Sequence, residues 1–205
     1  MNFLALDTSG GYLTVIACKN GAFFSTYIPD CAMKQSTLLM GAVDETLKKA
    51  DLQLSACDFF GAVVGAGSFT GIRIGISAAK GFALAYGKPT LPITSFEVMA
   101  YDRVNGKSLC LIDALHGSYY ACAYDGVESR MSPAFWSEDE VLTYTKEAGT
   151  ALVALTPLPL SGEVQTANAV LGLQRACVEK AAAGQFGELN ALYVRKSSAE
   201  ENLAK

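Results

Sequence analysis

The 205-residue sequence is poor in the residues that build metal centres: it has one histidine, His116, and six scattered cysteines, Cys18, Cys31, Cys57, Cys110, Cys122 and Cys177. Counting excludes a multi-histidine zinc or iron site. The cysteine spacing matches neither a zinc ligand set nor a redox dithiol, so these side chains read as buried reduced thiols. Charge is also scarce, at 18% of residues against 51% hydrophobic ones. That balance excludes a disordered chain and predicts a well-buried globular protein. No apolar run is long enough to span a bilayer, and Met1-Asn2-Phe3-Leu4 lacks a basic n-region. A cytoplasmic protein without membrane attachment is therefore expected. A net charge of −4 and a pI near 5.0 leave too few clustered cations to grip nucleic acid unaided, so any RNA contact must be shared. With mean hydropathy at +0.25, the surplus of apolar surface points to protein contacts.

What is present is a repeated pattern. Phe3 to Asp7 reads as a buried strand ending in the turn Asp7-Thr8-Ser9-Gly10-Gly11, and Tyr12 to Cys18 returns as a second strand. Asn20-Gly21 then marks a two-residue hairpin into Ala22 to Ile28. Apolar spacing predicts a helix from Ser36 to Ala50, with Leu39, Val43, Leu47 and Ala50 on one face. A strand from Phe59 to Val64, a helix from Thr70 to Gly87, a strand from Thr90 to Thr94 and a helix capped by Ser95 and running to Val104 complete the first half. After the polar break Arg103-Val104-Asn105-Gly106-Lys107 the order begins again. Leu109 to Asp113, a turn with Gly117, Tyr119 to Tyr124 and Asp125-Gly126 repeat the opening, which predicts a duplicated unit with lobes at 1–104 and 105–205. The smaller second lobe is expected to continue with a helix from Ser137 to Glu147, a strand from Ala151 to Leu155 and a helix from Gln165 to Ala183.

Two motifs carry candidate chemistry. Gly65-Ala66-Gly67-Ser68-Phe69-Thr70-Gly71 joins a buried strand to a helix. Its glycines free amides to face an anion, and Ser68 and Thr70 are placed to cap the helix. Tight packing of helix on sheet explains the same glycines, and both readings stand. Asp7-Thr8-Ser9 offers a carboxylate and hydroxyls to Mg²⁺ or phosphate, and equally suits an ordinary turn. Asp7, Thr8, Ser9, Gly65, Gly67, Ser68 and Thr70 are thus the candidate nucleotide or anion residues. In the following helix Gly71, Gly75, Ala79 and Ala83 recur every four residues as a nearly bare ridge beside Ile72 and Ile76. Such a ridge admits a second helix at close range, so these six residues with Leu39 and Val43 are the expected partner or dimer interface; a helix buried inside its own domain is the other reading. His116, beside Gly117, has no nucleophile in a recognisable context, and no catalytic residue or metal ligand is assigned.

Asp7-Thr8-Ser9, the Ser-Phe-Thr-Gly-Ile-Arg-Ile-Gly core of Gly65 to Gly75, Ile112-Asp113-Ala114 with Gly117 and Tyr120, and Tyr193-Val194-Arg195 with Ala199-Glu200 closely resemble the TsaB (YeaZ) family. The resemblance implies the duplicated ribonuclease H-like fold shared by actin, Hsp70 and sugar kinases. It also implies a non-catalytic role in tRNA N6-threonylcarbamoyladenosine synthesis, with TsaD as direct partner and the ATPase TsaE joining the assembly. A homodimer is expected when TsaD is absent, a heterodimer when it is present, and tRNA contact only within the complex. No cofactor is expected to be required, weak ADP or ATP binding at or near the partner interface being left open. The sequence departs from the family pattern at Gln35, where His is common, at Ala66, where Pro is common, and in Asn190-Ala191-Leu192 before Tyr193, where a Pro is usual. A small-molecule kinase or nucleotide hydrolase of the same fold is the alternative, and metalloprotease activity is not expected.

Overall fold

The computed structural model describes residues 1–103 and 105–195. Val104, and the Ala199-Glu200 pair with the rest of 196–205, lie outside the described residues. The first lobe opens with β1 (Phe3–Asp7), β2 (Leu13–Lys19) and β3 (Ala22–Ile28), followed by α1 (Gln35–Ala50), β4 (Phe59–Val63), α2 (Phe69–Tyr86), β5 (Thr90–Ile93) and α3 (Ser95–Asp102). Its sheet has the order β3-β2-β1-β4-β5. β1 is antiparallel to β2, β2 to β3, and β4 and β5 run parallel to β1.

The second lobe repeats this plan with β6 (Lys107–Asp113), β7 (Ser118–Asp125), β8 (Glu128–Ser129), β9 (Ala134–Ser137), α4 (Glu138–Ala148), β10 (Ala151–Ala154), β11 (Val164–Thr166) and α5 (Ala169–Ala182). Its order, β11-β10-β6-β7 with β8 and β9 both paired to β7, is that of the first sheet. The two lobes are therefore mixed-sheet α/β units of one plan, as the internal repeat predicts, and of the ribonuclease H-like topology that the family resemblance implies.

Local chemistry sets the element ends. Ser68 caps α2 by accepting the Gly71 N–H at 3.2 Å, and Gly87 in the left-handed region closes it. Thr94, not Ser95, caps α3 through a reciprocal box with Glu97, and Ser137 does the same for α4 with Glu140. The helix expected from Gln165 begins four residues later. Val164–Thr166 is instead an edge strand parallel to β10, and Asn168 caps α5. Sheet pairing outweighs a helical reading of so short a stretch.

The strands alternate their side chains between two cores. In the first sheet Leu4, Leu6, Leu13 and Val15 face α1 and α2, while Phe3, Ala5, Ile16 and Cys18 face α3 and α5. α5 comes from the second lobe yet covers the first lobe's sheet. In return α3 sends Phe96, Met99 and Ala100 into the core of the second sheet beside Cys110, Cys122 and Val153. The two helices form a shared middle layer and cross so closely that a Cβ on Gly172 would collide with the Val98 carbonyl oxygen. A Lys180–Glu97 ion pair, largely buried, ties them further. On the outer side of the second sheet, α4 supplies Val141, and the segment 155–163 lays Leu158 and Leu160 against the strands.

Candidate functional site

The first strand delivers Asp7 to the sheet's end, and the turn after it folds back on its carboxylate. Asp7 Oδ1 accepts the Ser9 N–H at 2.9 Å and the Ser9 hydroxyl at 2.7 Å, and Oδ2 accepts the Tyr12 hydroxyl at 2.8 Å. Asp7, Thr8 and Ser9 are all buried. Burial pushes the Asp7 carboxyl above its ordinary value, and the donors from Ser9 and Tyr12 oppose that rise only in part. Burial and the neighbouring Asp7 likewise push the Tyr12 hydroxyl up, which keeps it a donor.

The glycine loop locks onto this turn. Ser68 N–H donates to the Ser9 carbonyl at 2.7 Å, and the Thr8 hydroxyl donates to the Gly71 carbonyl at 2.6 Å. The Ser95 hydroxyl, 3.1 Å from that of Ser9, donates to the Ala66 carbonyl at 2.6 Å. A Cβ on Gly67 would strike the Ser9 carbonyl oxygen, and one on Gly71 the Thr8 carbonyl oxygen. Of the two readings of these glycines, the geometry realises the close approach of turn, loop and helix. Gln35, one of the departures from the family pattern, is buried and donates to the Gly10 carbonyl at 2.9 Å. The structure thus brings Asp7, Thr8, Ser9, Gly65, Gly67 and Ser68 together, Gly65 through its carbonyl, which accepts the Ser95 N–H at 2.7 Å, whereas Thr70 is exposed on α2, whose cap is Ser68.

Tyr12, Gln35 and Ser95 complete the cluster, and none of them was among the candidate site residues of the sequence. Only Tyr12, placed directly after the Gly10-Gly11 turn, carried a signal that finds it. Asp113, the repeat mate of Asp7, is exposed, and its Oδ1 accepts only the Leu115 N–H at 2.7 Å. His116 sits in the same exposed turn in the left-handed region. Among the described residues no group of three or more His, Cys, Asp or Glu is placed to hold a metal ion.

The expected docking ridge is corrected by its surroundings. Leu39, Val43, Gly71, Ile72, Gly75, Ile76, Ala79 and Ala83 are all buried within their own lobe. Gly75 lies against the Thr8 hydroxyl, which a Cβ there would approach to 2.6 Å. Small residues permit close approach to any neighbour, and here that neighbour is the chain's own first turn. The side of α2 turned outward carries instead Phe69, Arg73, Ile74, Ser77 and Leu84, with Leu84 87% exposed. From α1, Met40 is 54% exposed.

Two ribonuclease H-like lobes, one with a strand turn and glycine loop interlocked and the other without the loop and its helix, define an α/β protein built on a degenerate duplication. The family model described as "TsaD: tRNA N6-adenosine threonylcarbamoyltransferase" matches residues 27–188, and the chain belongs to that family. It is similar to the tRNA threonylcarbamoyladenosine biosynthesis protein TsaB of Haemophilus influenzae, at 34% identity over 49% of this chain and 42% of the relative. To the TsaB protein of Escherichia coli it is 29% identical over 63% of this chain and 57% of the relative. The matched segments therefore span about half the length of these curated relatives. A crystal structure from Pseudomonas aeruginosa, described as an uncharacterized protein with similarity to peptidase YEAZ, shares the fold over 95% of this chain and 99% of that one, with a TM-score of 0.78 at 24% identity. No described helix is long and apolar enough to cross a membrane.

Proposed function

We propose that this chain serves tRNA N6-threonylcarbamoyladenosine formation as a non-catalytic subunit that docks onto the transferase TsaD and, with it, the ATPase TsaE. The observation that carries the reading is the state of Asp7. The carboxylate best placed for chemistry is buried, and both of its oxygens already accept hydrogen bonds from its own turn and the strand after it, so it serves to hold that turn. Similarity to proteins named for this pathway supplies the reaction. The second lobe supports the same conclusion, because residues 155–163 stand where a second glycine loop and helix would complete a nucleotide clamp.

Docking runs through the outward sides of α1 and α2, where Met40 and Leu84 expose apolar surface. The same surface pairs two copies when TsaD is absent. Transfer RNA is met only in the assembly, in the cytoplasm, and no cofactor is required. Any ADP or ATP sits weakly at the joint between subunits.

Light scattering of the chain with and without TsaD tests this reading. A stoichiometric complex is expected, weakened by Met40→Glu with Leu84→Glu at unchanged melting temperature. Depleting the chain from cells should lower N6-threonylcarbamoyladenosine in tRNA, measured by mass spectrometry. ATP turnover by the chain alone, lost on Asp7→Ala, would overturn the reading in favour of a small-molecule kinase or nucleotide hydrolase.

A further inference from the structure

An edge strand offers a row of backbone groups to any other chain, and folded proteins keep such rows short, charged or covered. Three sheet edges of this molecule follow that rule. β5 carries Pro92, and Gly187 lies along it, donating its N–H to the Thr90 carbonyl at 3.0 Å and accepting the Thr90 hydroxyl at 2.6 Å. β11 runs three residues, and Arg103 donates to its Thr166 carbonyl at 2.8 Å. Beyond β7, β8 and β9 run only two and four residues, and Arg130 pairs with Glu128 of β8 at 3.0 Å. β3 is the exception, with seven residues, Ala22–Ile28, and neither charge nor proline among them.

Register identifies its outer groups. Asn20-Gly21 closes the hairpin with Lys19 opposite Ala22, so Ala22, Phe24, Thr26 and Ile28 bond to β2, and the N–H and C=O of Phe23, Ser25 and Tyr27 point away from the sheet. Among the described residues one bond reaches these groups, from the Lys49 ammonium to the Ser25 carbonyl at 3.4 Å. Lys49 brings its own counter-charge, Glu45 at 2.7 Å, and so puts no net charge on the edge. α1 covers one face of β3 through the Thr46 hydroxyl on that of Thr26 at 2.8 Å, and it leaves the edge open, with Tyr27 46% exposed.

The strand is complementary to itself. Laid antiparallel against a second copy about Ser25, it sets Phe23 opposite Tyr27 on one face and Phe24 opposite Thr26 on the other, cross-strand pairs that favour a ladder. Charge favours the same direction. Asp30 stands close to Tyr27, whose hydroxyl is pushed up by burial and then by that carboxylate. Lys19, held by Asp51 at 2.7 Å, stands at the hairpin end. An antiparallel copy brings each Asp30 toward the other chain's Lys19, whereas a parallel strand would set acid beside acid.

We propose that β3 is a joint between two copies of this chain, paired antiparallel about Ser25 so that their five-stranded sheets become one. Two-fold pairing closes at two copies and leaves β3 no growing end. The joint lies on the sheet's edge, apart from the outward sides of α1 and α2 given to TsaD, so it goes beyond the proposed function and does not depend on it.

Sedimentation velocity of the full chain carrying Met40→Glu and Leu84→Glu reads this joint alone, because the helix surface is then disabled. Dimers should persist with a dissociation constant on the order of 10 μM, as suits a narrow contact. Ser25→Pro, which removes an outward N–H and none from the β2 ladder, should weaken them about tenfold. Ser25→Lys, which sets two like charges face to face, should do the same. Ser25→Cys should give a covalent dimer with oxidised glutathione, since the six native thiols are buried, while Ser55→Cys at an exposed position should not. A chain that stays monomeric at about 100 μM, ten times the expected constant, overturns the proposal. So do dimers that survive both Ser25→Pro and Ser25→Lys at unchanged melting temperature, or covalent dimers that Ser55→Cys forms equally well. If the chain fails to join TsaD while these dimers form, the proposed function falls and the joint stands.

Discussion

The two lobes are built to one plan and differ in how much of it they keep. Each opens with a strand ending in aspartate, but Asp7 is buried under three donors whereas Asp113 lies in an exposed turn with a single one. In the first lobe α2 fills the interval between the last two strands. In the second, residues 155–163 fill it with Pro157, Leu158, Pro159 and Leu160, held by the Tyr119 hydroxyl on the Pro159 carbonyl at 2.7 Å and by Ser161 N–H on Glu138 at 2.8 Å. A helix needs a close seat against the first turn, which Gly71 and Gly75 provide. Where that seat is missing, a proline-stiffened loop covers the sheet with fewer residues.

The comparison breaks first where the lobes meet. Gly172→Ala places a methyl group against the Val98 carbonyl and should cost about 3 kcal/mol in urea unfolding, since backbone on both sides leaves little room to yield. The aspartates come next. Asp7→Ala strands three buried donors and should cost about 2 kcal/mol, whereas Asp113→Ala should cost under about 0.5 kcal/mol, both read from thermal unfolding.

A pH series sharpens the same contrast. Because burial raises the Asp7 carboxyl above 3.8, the folded chain holds a proton that the unfolded chain releases between 3.8 and the raised value. Its contribution to stability is therefore fully present below 3.8 and is lost as pH rises through the folded value. The wild-type curve minus that of Asp7→Asn should show this fall. The smallest effect concerns the thiols, which are buried in both lobes. Burial pushes Cys57 up to about 11 and Cys110 up to about 12. Iodoacetamide at pH 8 should leave both unlabelled in the folded protein and label them fully in denaturant, as counted by mass spectrometry.

The duplicated topology was legible because it rests on local signals: Asn20-Gly21 at a hairpin, apolar runs ending in aspartate, and the period of α1 and α2. Partners at a distance were not legible. The bare ridge on α2 announced close packing, but nothing in Gly71, Gly75, Ala79 and Ala83 says whether the surface they meet belongs to the same chain. Val164–Thr166 is too short to declare a strand without β10 beside it. The interlocked turn and loop were half visible: Asp7-Thr8-Ser9 and Gly65 to Gly71 stood out, while Gln35 and Ser95 reach the cluster only through the fold.

Because α3 and α5 are traded between the lobes, there is no line along which the molecule can hinge like jaws. Prising the sheets apart would wet Phe96, Val98, Leu173 and Cys177 together, a penalty of about 25 cal/mol for every Å² of apolar surface uncovered. A partner seated on one half therefore finds the other half at a fixed distance and angle, as with a machinist's gauge block.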